Sequence, residues 1–396
     1  MSAVLDRAGG ILPRSPSSFP DSPLSRALQQ PLLLGLFLPI QAGGWSASRL
    51  PRSTTWTFDY NRALTQRAEE FGFDLVFGLS QWLPKGGYGG VLDGTALDSF
   101  ISVGALAAVT RRILLISTVH VLYGPWHPLH FAKYTATLDH ISGGRSGVNI
   151  VTGHRAVEHE AFGWPRIDHD RRYELAAEFV DVVQRLWAAE ENLSYEGARW
   201  SLREAFVTPK PLFGRPILVN ATGSDAGIDF AARHSDIVFI TSPAGSEIES
   251  ALDALPAHVA RVKAAARAQG REIRTLINPI IVSRDTTAET AAYHDAIVAH
   301  ADPEAPAGFG RFDSDAHAWR GRAGRDGPAQ RALGGNIQII GTPDEVARYI
   351  ARLKEAGIDG IQVSFFDFQP DLEHFGTRIL PLLERAGLRF PAPENA

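Results

Sequence analysis

The chain has 396 residues, 44% of them hydrophobic and 21% charged, with a formal net charge of -5. These proportions are those of an ordinary globular protein and exclude a disordered or fibrous chain, while the acidic balance leaves no basic footprint for nucleic acid. There is no cysteine, which removes disulfides, thiolate metal sites and cysteine nucleophiles together.

Residues 1–30, with prolines among small polar residues, predict a flexible N-terminal extension, free to act as an arm on a partner subunit. The apolar run from Pro31 to Ile40 is too short to span a bilayer and follows a Ser/Pro-rich stretch rather than a basic one. Neither a membrane span nor a secretory signal is read there, and the expected location is the cytoplasm. From this run onward, apolar β-branched stretches alternate with amphipathic ones. The strand candidates are Leu32–Pro39, Phe73–Leu79, Ile113–His120, Gly147–Thr152, Pro216–Asn220, Ile237–Thr241, Leu276–Val282 and Gly360–Phe366. Helices are expected over Phe58–Phe71, Leu97–Val109, Leu129–Ile141, Arg171–Trp187, Ala226–His234, Glu247–Gln269 and Asp344–Ala356. The alternation signals parallel α/β architecture, and eight strands favour a closed (β/α)8 barrel over an open doubly wound sheet, here as one barrel over residues 31–390.

Two segments break the repeat. Residues 190–203 read as a hairpin-like excursion after the fourth helix. Residues 303–336, rich in Gly, Arg and Asp and carrying Trp319, have no sustained period. A connection of that length is usually a functional lid or disordered, and its place before the eighth strand puts it over the C-terminal mouth, where barrel enzymes keep their active sites.

Neither G-x-G-x-x-G after a strand nor G-x-x-x-x-G-K-[ST] occurs, so a Rossmann nicotinamide site and a P-loop are unsupported. His120, His127 and His130 invite a metal reading, but H-E-x-x-H is absent, and scattered histidines are more often hydrogen-bonded polar residues than ligands. The richest segment is Thr137–His154. It ends a helix at Ser142-Gly143-Gly144 and enters a buried strand that delivers Asn149, Thr152 and His154 toward the mouth. Asn220-Ala-Thr-Gly-Ser-Asp-Ala-Gly227 opens a helix with Ser224 or Asp225 at its cap, a turn suited to a phosphate or equally to a bare βα connection. Asp225 would repel a phosphate and is expected to face the cap or solvent. His169-Asp-Arg-Arg-Tyr173 is a second helix start able to hold an anion, or a solvated terminus, with Arg171 the better candidate for solvent.

Taken together, Thr137–Gly153, Arg171-Arg-Tyr-Glu174, Gly223-Ser-Asp-Ala-Gly227 and Phe366-Asp-Phe with Phe375-Gly376 resemble the luciferase-like two-component flavin monooxygenases. Among these the chain is most similar to the dimethylsulfone monooxygenases, with alkanesulfonate and pyrimidine monooxygenases as further relatives. The resemblance implies a TIM barrel of the bacterial luciferase type with insertion segments. It also implies FMN used in reduced form, O2 as co-substrate, a separate NAD(P)H-dependent flavin reductase as partner, and a homodimer or homotetramer.

Carried across position by position, the resemblance places Leu79 and Ser80 beside the isoalloxazine and Asn149 at its reactive face. Glu158 becomes another flavin contact, and Arg172, Tyr173 and Ser224 the ribityl-phosphate contacts. Thr118, His120 and His154 are candidates for the oxygen site, the histidines either donating hydrogen bonds there or only packing. Trp45, Trp82, Tyr123 and Trp126 are candidate pocket walls. Trp319, Arg320, Arg322, Arg325 and Arg331 are candidate lid contacts to substrate. The expected reaction is oxygenation of a small organosulfur compound, dimethylsulfone or an alkanesulfonate, with C–S cleavage in sulfur assimilation. The alternatives are oxidative opening of a pyrimidine or similar heterocyclic amide, a deazaflavin-dependent dehydrogenase, and a non-catalytic flavin-binding protein.

Overall fold

The computed structural model describes residues 4–5, 11–305, 312, 314–315 and 332–391. Eight parallel strands close a barrel: β1 (Leu33–Phe37), β2 (Leu75–Phe77), β3 (Leu114–His120), β4 (Ser146–Val151), β5 (Ile217–Thr222), β6 (Ile237–Ile240), β7 (Arg274–Ile277) and β8 (Gly360–Val363). Closure is made by β8 against β1, with Gly360 opposite Leu33 and Val363 opposite Leu36. Each of these strands overlaps a run read from the sequence, but β4 begins one residue before its run, β5 continues past its run to Thr222, and β7 shares only Leu276 and Ile277 with its run. The runs were legible because strands buried on both faces are apolar almost continuously.

Alternation sorts the side chains. Leu34, Leu36, Val76, Leu115, Ile361 and Val363 pack outward against the helices, while Leu33, Phe37, Leu75, Phe77, Leu114, Ile116, Val219 and Phe239 fill the lumen. The surrounding helices include α1 (Phe58–Glu70), α2 (Ser99–Ala107), α3 (Pro128–Ser142), α4 (His169–Ala188), α5 (Asp225–His234), α6 (Ile248–Ala268), α7 (Thr287–Ala299) and α8 (Pro343–Glu355). The excursion is an antiparallel hairpin, Leu193–Glu196 against Ser201–Ala205.

Two expectations are corrected, and one helix went unread. The N-terminal stretch is not simply an extension: a short helix, Pro23–Ala27, puts Leu24 into the barrel-interior cluster, fully buried. Burying a leucine is worth about 1.5–3 kcal/mol, and the side chain of Ser15 is also tied to Asp236 at 2.7 Å. The run Leu276–Val282 is two strands. After Asn278 the chain leaves the barrel, and Pro279–Val282 pairs with Ile337–Ile340 in a separate two-stranded sheet. Finally, α7 was not read because its Ala-rich sequence has no apolar stripe, although the Thr286/Glu289 capping box that starts it was visible.

Of residues 303–336, Trp319, Arg320, Arg322, Arg325 and Arg331 lie outside the described residues. Among the described residues no helix is long and apolar enough to cross a membrane, and no group of three or more His, Asp or Glu side chains could hold a metal ion.

Candidate active site

The floor of the mouth is aromatic. Phe37, Phe77 and Phe239 come from the C-terminal parts of β1, β2 and β6, with Phe77 in edge contact with Phe37 at 5.1 Å and with Phe239 at 4.8 Å. Trp45 lies over Phe37 at 3.7 Å between ring centroids and donates its indole N–H to the Phe37 carbonyl. Leu79 packs against the same cluster, and half-buried Ser80 follows it.

On one wall, adjacent strands β3 and β4 present Thr118 and Asn149 in register. Thr118 donates its hydroxyl to the Gly78 carbonyl at 2.8 Å, so its oxygen is left to accept Asn149 Nδ2 at 3.1 Å. That orients the amide: Asn149 Oδ1 points away from the pair, buried and without a hydrogen-bond partner. An unmet buried acceptor is costly, and it offers a bound ligand a ready site for an N–H or O–H.

Beside this wall is a hub on Glu158, fully buried in the short helix Ala156–Ala161. Its carboxylate accepts the Tyr123 hydroxyl at 3.0 Å, the Trp82 backbone N–H at 3.0 Å and Arg155 Nη1 at 3.2 Å, with His120 Nε2 at 4.0 Å. Burial pushes its pKa up, but Arg155, His120 and the Trp82 N–H outweigh burial, and the group is held below the usual glutamate value as a carboxylate. The Tyr123 phenol is pushed up by burial and by Glu158. Its ring stacks on His120 at 4.8 Å and meets His159 at 4.4 Å. Gly153 permits this: it sits at φ +74°, and a Cβ there would lie 2.3 Å from the Tyr123 ring.

Burial lowers the His120 pKa to about 4 against the pull of Glu158, and burial followed by Arg155 lowers His154 to about 3. Both imidazoles are neutral at pH 7. His120 Nδ1 is buried with no hydrogen-bond partner, whereas His154 Nδ1 is engaged by Ser314 Oγ at 2.7 Å.

At the end of β5, Ser224 caps α5 by accepting the Gly227 N–H at 3.1 Å. The Tyr173 phenol, from α4, faces the Thr222 and Ser224 hydroxyls. These groups close on Gly227 so tightly that a Cβ there would fall 1.8 Å from Thr222 Oγ1 and 2.7 Å from the Tyr173 hydroxyl. Hydroxyls gathered at a helix N-terminus, with its orphan N–H groups and positive dipole end, form a cradle for an anion. Asp225 turns outward to Arg261, so its charge does not oppose that use, and Arg171 is a solvated residue paired with Glu174 at 2.6 Å.

The structure therefore brings together Thr118, His120, Tyr123, Asn149 and Glu158 on one side and Tyr173 and Ser224 on the other. It changes three assignments. Trp126 packs edge-on against Phe100, Phe131 and Tyr134 in the helical layer, not in the mouth. Both Glu158 oxygens are already spent on Tyr123, Trp82 and Arg155, so it organises the wall rather than offering a free contact. Arg172 is buried, but its guanidinium is held by Asp315 at 2.7 Å and the Ile167 carbonyl at 2.6 Å. Trp82 contributes its backbone N–H to the hub, while its ring is partly exposed against Phe162. Sequence reasoning missed Phe37, Phe77, Phe239, Arg155, Thr222 and Asp315. The three phenylalanines carried a signal, as inward-facing aromatics near strand ends.

A closed (β/α)8 barrel with helix-capping hydroxyls on one side of its mouth and a polar wall above an aromatic floor on the other has the form of a barrel enzyme's ligand site. The family described as luciferase-like monooxygenase matches residues 33–360; the chain belongs to this family and is, like its relatives, a flavin-dependent monooxygenase. An FMNH2-dependent dimethylsulfone monooxygenase of Pseudomonas putida is 34% identical over 368 residues, covering 90% of this chain and 96% of that protein. The pyrimidine monooxygenase RutA of Escherichia coli is 33% identical over 362 residues, covering 89% of this chain and 91% of that protein. Among solved structures, a riboflavin lyase with modified FMN and riboflavin superposes with a TM-score of 0.79 at 27% identity, covering 91% of this chain and 93% of that one. DmoA of Hyphomicrobium sulfonivorans shares the fold, with a TM-score of 0.76 at 19% identity and coverage of 92% and 90%.

Proposed function

We propose that this chain is an FMNH2- and O2-dependent monooxygenase of a small neutral organosulfur compound, best represented by dimethylsulfone, cleaving its C–S bond in sulfur assimilation. A separate NAD(P)H-dependent reductase supplies the reduced flavin. The observation that carries the cofactor assignment is the pairing of the Ser224–Gly227 cradle with the unpartnered Asn149 Oδ1 on the neighbouring strand. An anion and an N–H donor on one ligand satisfy both, and FMN has both. When bound, reduced FMN supplies the electrons that activate O2. The chain's own part is to bind, orient and exclude water. Ser224, Thr222 and Tyr173 hold the phosphate end, Asn149 accepts a hydrogen bond at the ring end, and Phe37, Phe77, Phe239 and Trp45 keep the floor dry. His120, a neutral imidazole with one unmet ring nitrogen, is the hydrogen-bonding group for a polar oxygen in the mouth.

A neutral substrate is supported by the similarity to the dimethylsulfone monooxygenase, and the described arginines near the mouth fit it. Among the described residues, Arg155 is paired with Glu158, and Arg166 and Arg172 are both paired with Asp315, which leaves no spare cation of this group for a sulfonate. Oxidative opening of a heterocyclic amide is the second reading, favoured by the similarity to the pyrimidine monooxygenase.

Replacing Ser224 with alanine tests the cradle. A hydrogen bond to a charged group is worth about 1.5–3 kcal/mol, so FMN affinity should fall by roughly ten- to a hundredfold in a fluorescence titration while riboflavin, lacking the phosphate, is hardly affected. Equal weakening of both ligands would remove Ser224 from the phosphate site.

A further inference from the structure

The cation beside the cradle already has an anion on it. Asp315 Oδ1 lies 2.7 Å from Arg172 Nη2, and Asp315 Oδ2 lies 3.2 Å from Arg166 Nη2. Its peptide N–H donates to the His154 carbonyl at 3.2 Å, and the preceding Ser314 hydroxyl lies 2.7 Å from His154 Nδ1. The carboxylate is thereby held by the backbone that follows β4. Arg172 is only 1% exposed, and its Nε has no hydrogen-bond partner. The next residue of α4, Tyr173, brings its hydroxyl against Gly227 at the start of α5, so the Arg172–Asp315 pair and the cradle are joined through consecutive residues of one helix.

We infer that Asp315 is a specificity-determining residue for the cofactor, an internal carboxylate that competes with the flavin phosphate for Arg172. The inference rests on the phosphate reading of the Ser224–Gly227 cradle. A buried guanidinium with no counter-charge costs several kcal/mol, and Asp315 supplies that counter-charge to Arg172. A phosphate monoester brings close to two negative charges and three acceptor oxygens and displaces a single carboxylate, which Arg166 then retains at the half-buried edge. Riboflavin, with no phosphate, leaves the Arg172–Asp315 pair in place. The internal acid therefore sets FMN affinity below what an uncompensated arginine would give. That suits an enzyme whose flavin must enter reduced and leave oxidised.

The test is Asp315→Asn in the full chain, titrated with FMN, riboflavin and inorganic phosphate. FMN is expected to bind about tenfold more tightly, a change of about 1.4 kcal/mol, with riboflavin unchanged. Inorganic phosphate at millimolar concentration should compete with FMN and raise the melting temperature of the variant but not of the parent. Asp315→Ser, which keeps a smaller oxygen acceptor for the guanidinium, carries the same expectation and serves if the asparagine variant folds poorly. FMN affinity that falls or stays the same in the well-folded variant overturns the competition and makes Asp315 a positioning residue or a bystander. Ser224→Ala separates the two levels of the argument. If it still weakens FMN selectively, only the competition has failed; if it weakens FMN and riboflavin equally, the phosphate reading has failed with it.

Discussion

Glu158→Ala is expected to cost about 3–5 kcal/mol of stability, the range for removing one partner of a buried ion pair, and to lower kcat/KM by a hundredfold or more. The carboxylate gathers groups from three loops: Trp82 after β2, Tyr123 after β3 and Arg155 after β4. Truncation leaves the buried Tyr123 hydroxyl without its acceptor, at about 1–3 kcal/mol, and frees the Trp82 N–H. It also strips Arg155 of its counter-charge. The functional loss follows because the His120 ring is stacked on Tyr123, so the oxygen-facing wall shifts with the hub. Glu158→Gln keeps an oxygen for Tyr123 but loses the charge for Arg155, and an intermediate loss is expected. Thermal unfolding together with steady-state kinetics on the variants decides. An alanine variant with the parent's melting temperature and activity would show that the hub is passive.

Gly227→Ala sets two effects against each other. Alanine in place of glycine inside a helix gains about 1 kcal/mol of propensity, whereas forcing a methyl into a filled space costs about 1–3 kcal/mol. Here the Cβ would be 1.8 Å from Thr222 Oγ1 and 2.7 Å from the Tyr173 hydroxyl. At those distances the steric cost wins, and the only relief is to move α5 or to displace both hydroxyls. The expected result is a modest fall in melting temperature and a loss of FMN affinity of a hundredfold or more, with riboflavin affinity changed far less. Calorimetric titration of the two flavins measures it, and an alanine variant that binds FMN like the parent would place the phosphate elsewhere.

What the sequence disclosed and what it hid follow from the range of the interactions. Strands such as Leu114–His120 announced themselves because both faces are buried. Ser224 and Asn149 were legible because a helix cap and a strand end have local signatures. The partners that give these residues meaning were not. Arg172 and Asp315 are 143 residues apart, and Tyr123 and Glu158 are 35 apart; no local pattern encodes such a contact. Arg172 was therefore expected to face a phosphate when it already faces an acid. Trp126 misled for the converse reason, since a tryptophan after a barrel strand reads the same whether it turns to the mouth or to Phe100 and Phe131 in the helical layer. The second half of Leu276–Val282 left the barrel at Pro279, and the proline was the visible warning.

The most direct measurement is a single-turnover experiment: the protein is loaded anaerobically with FMNH2 and mixed with 18O2 and, in separate reactions, dimethylsulfone, an alkanesulfonate or a pyrimidine. The account predicts consumption of dimethylsulfone with C–S cleavage, one 18O atom in the product per FMNH2 oxidised, and little hydrogen peroxide. Reoxidation of the flavin entirely to peroxide with dimethylsulfone, while the pyrimidine or the sulfonate takes up 18O, would contradict the substrate assignment. Failure of every substrate to take up label would contradict the oxygenase reading itself.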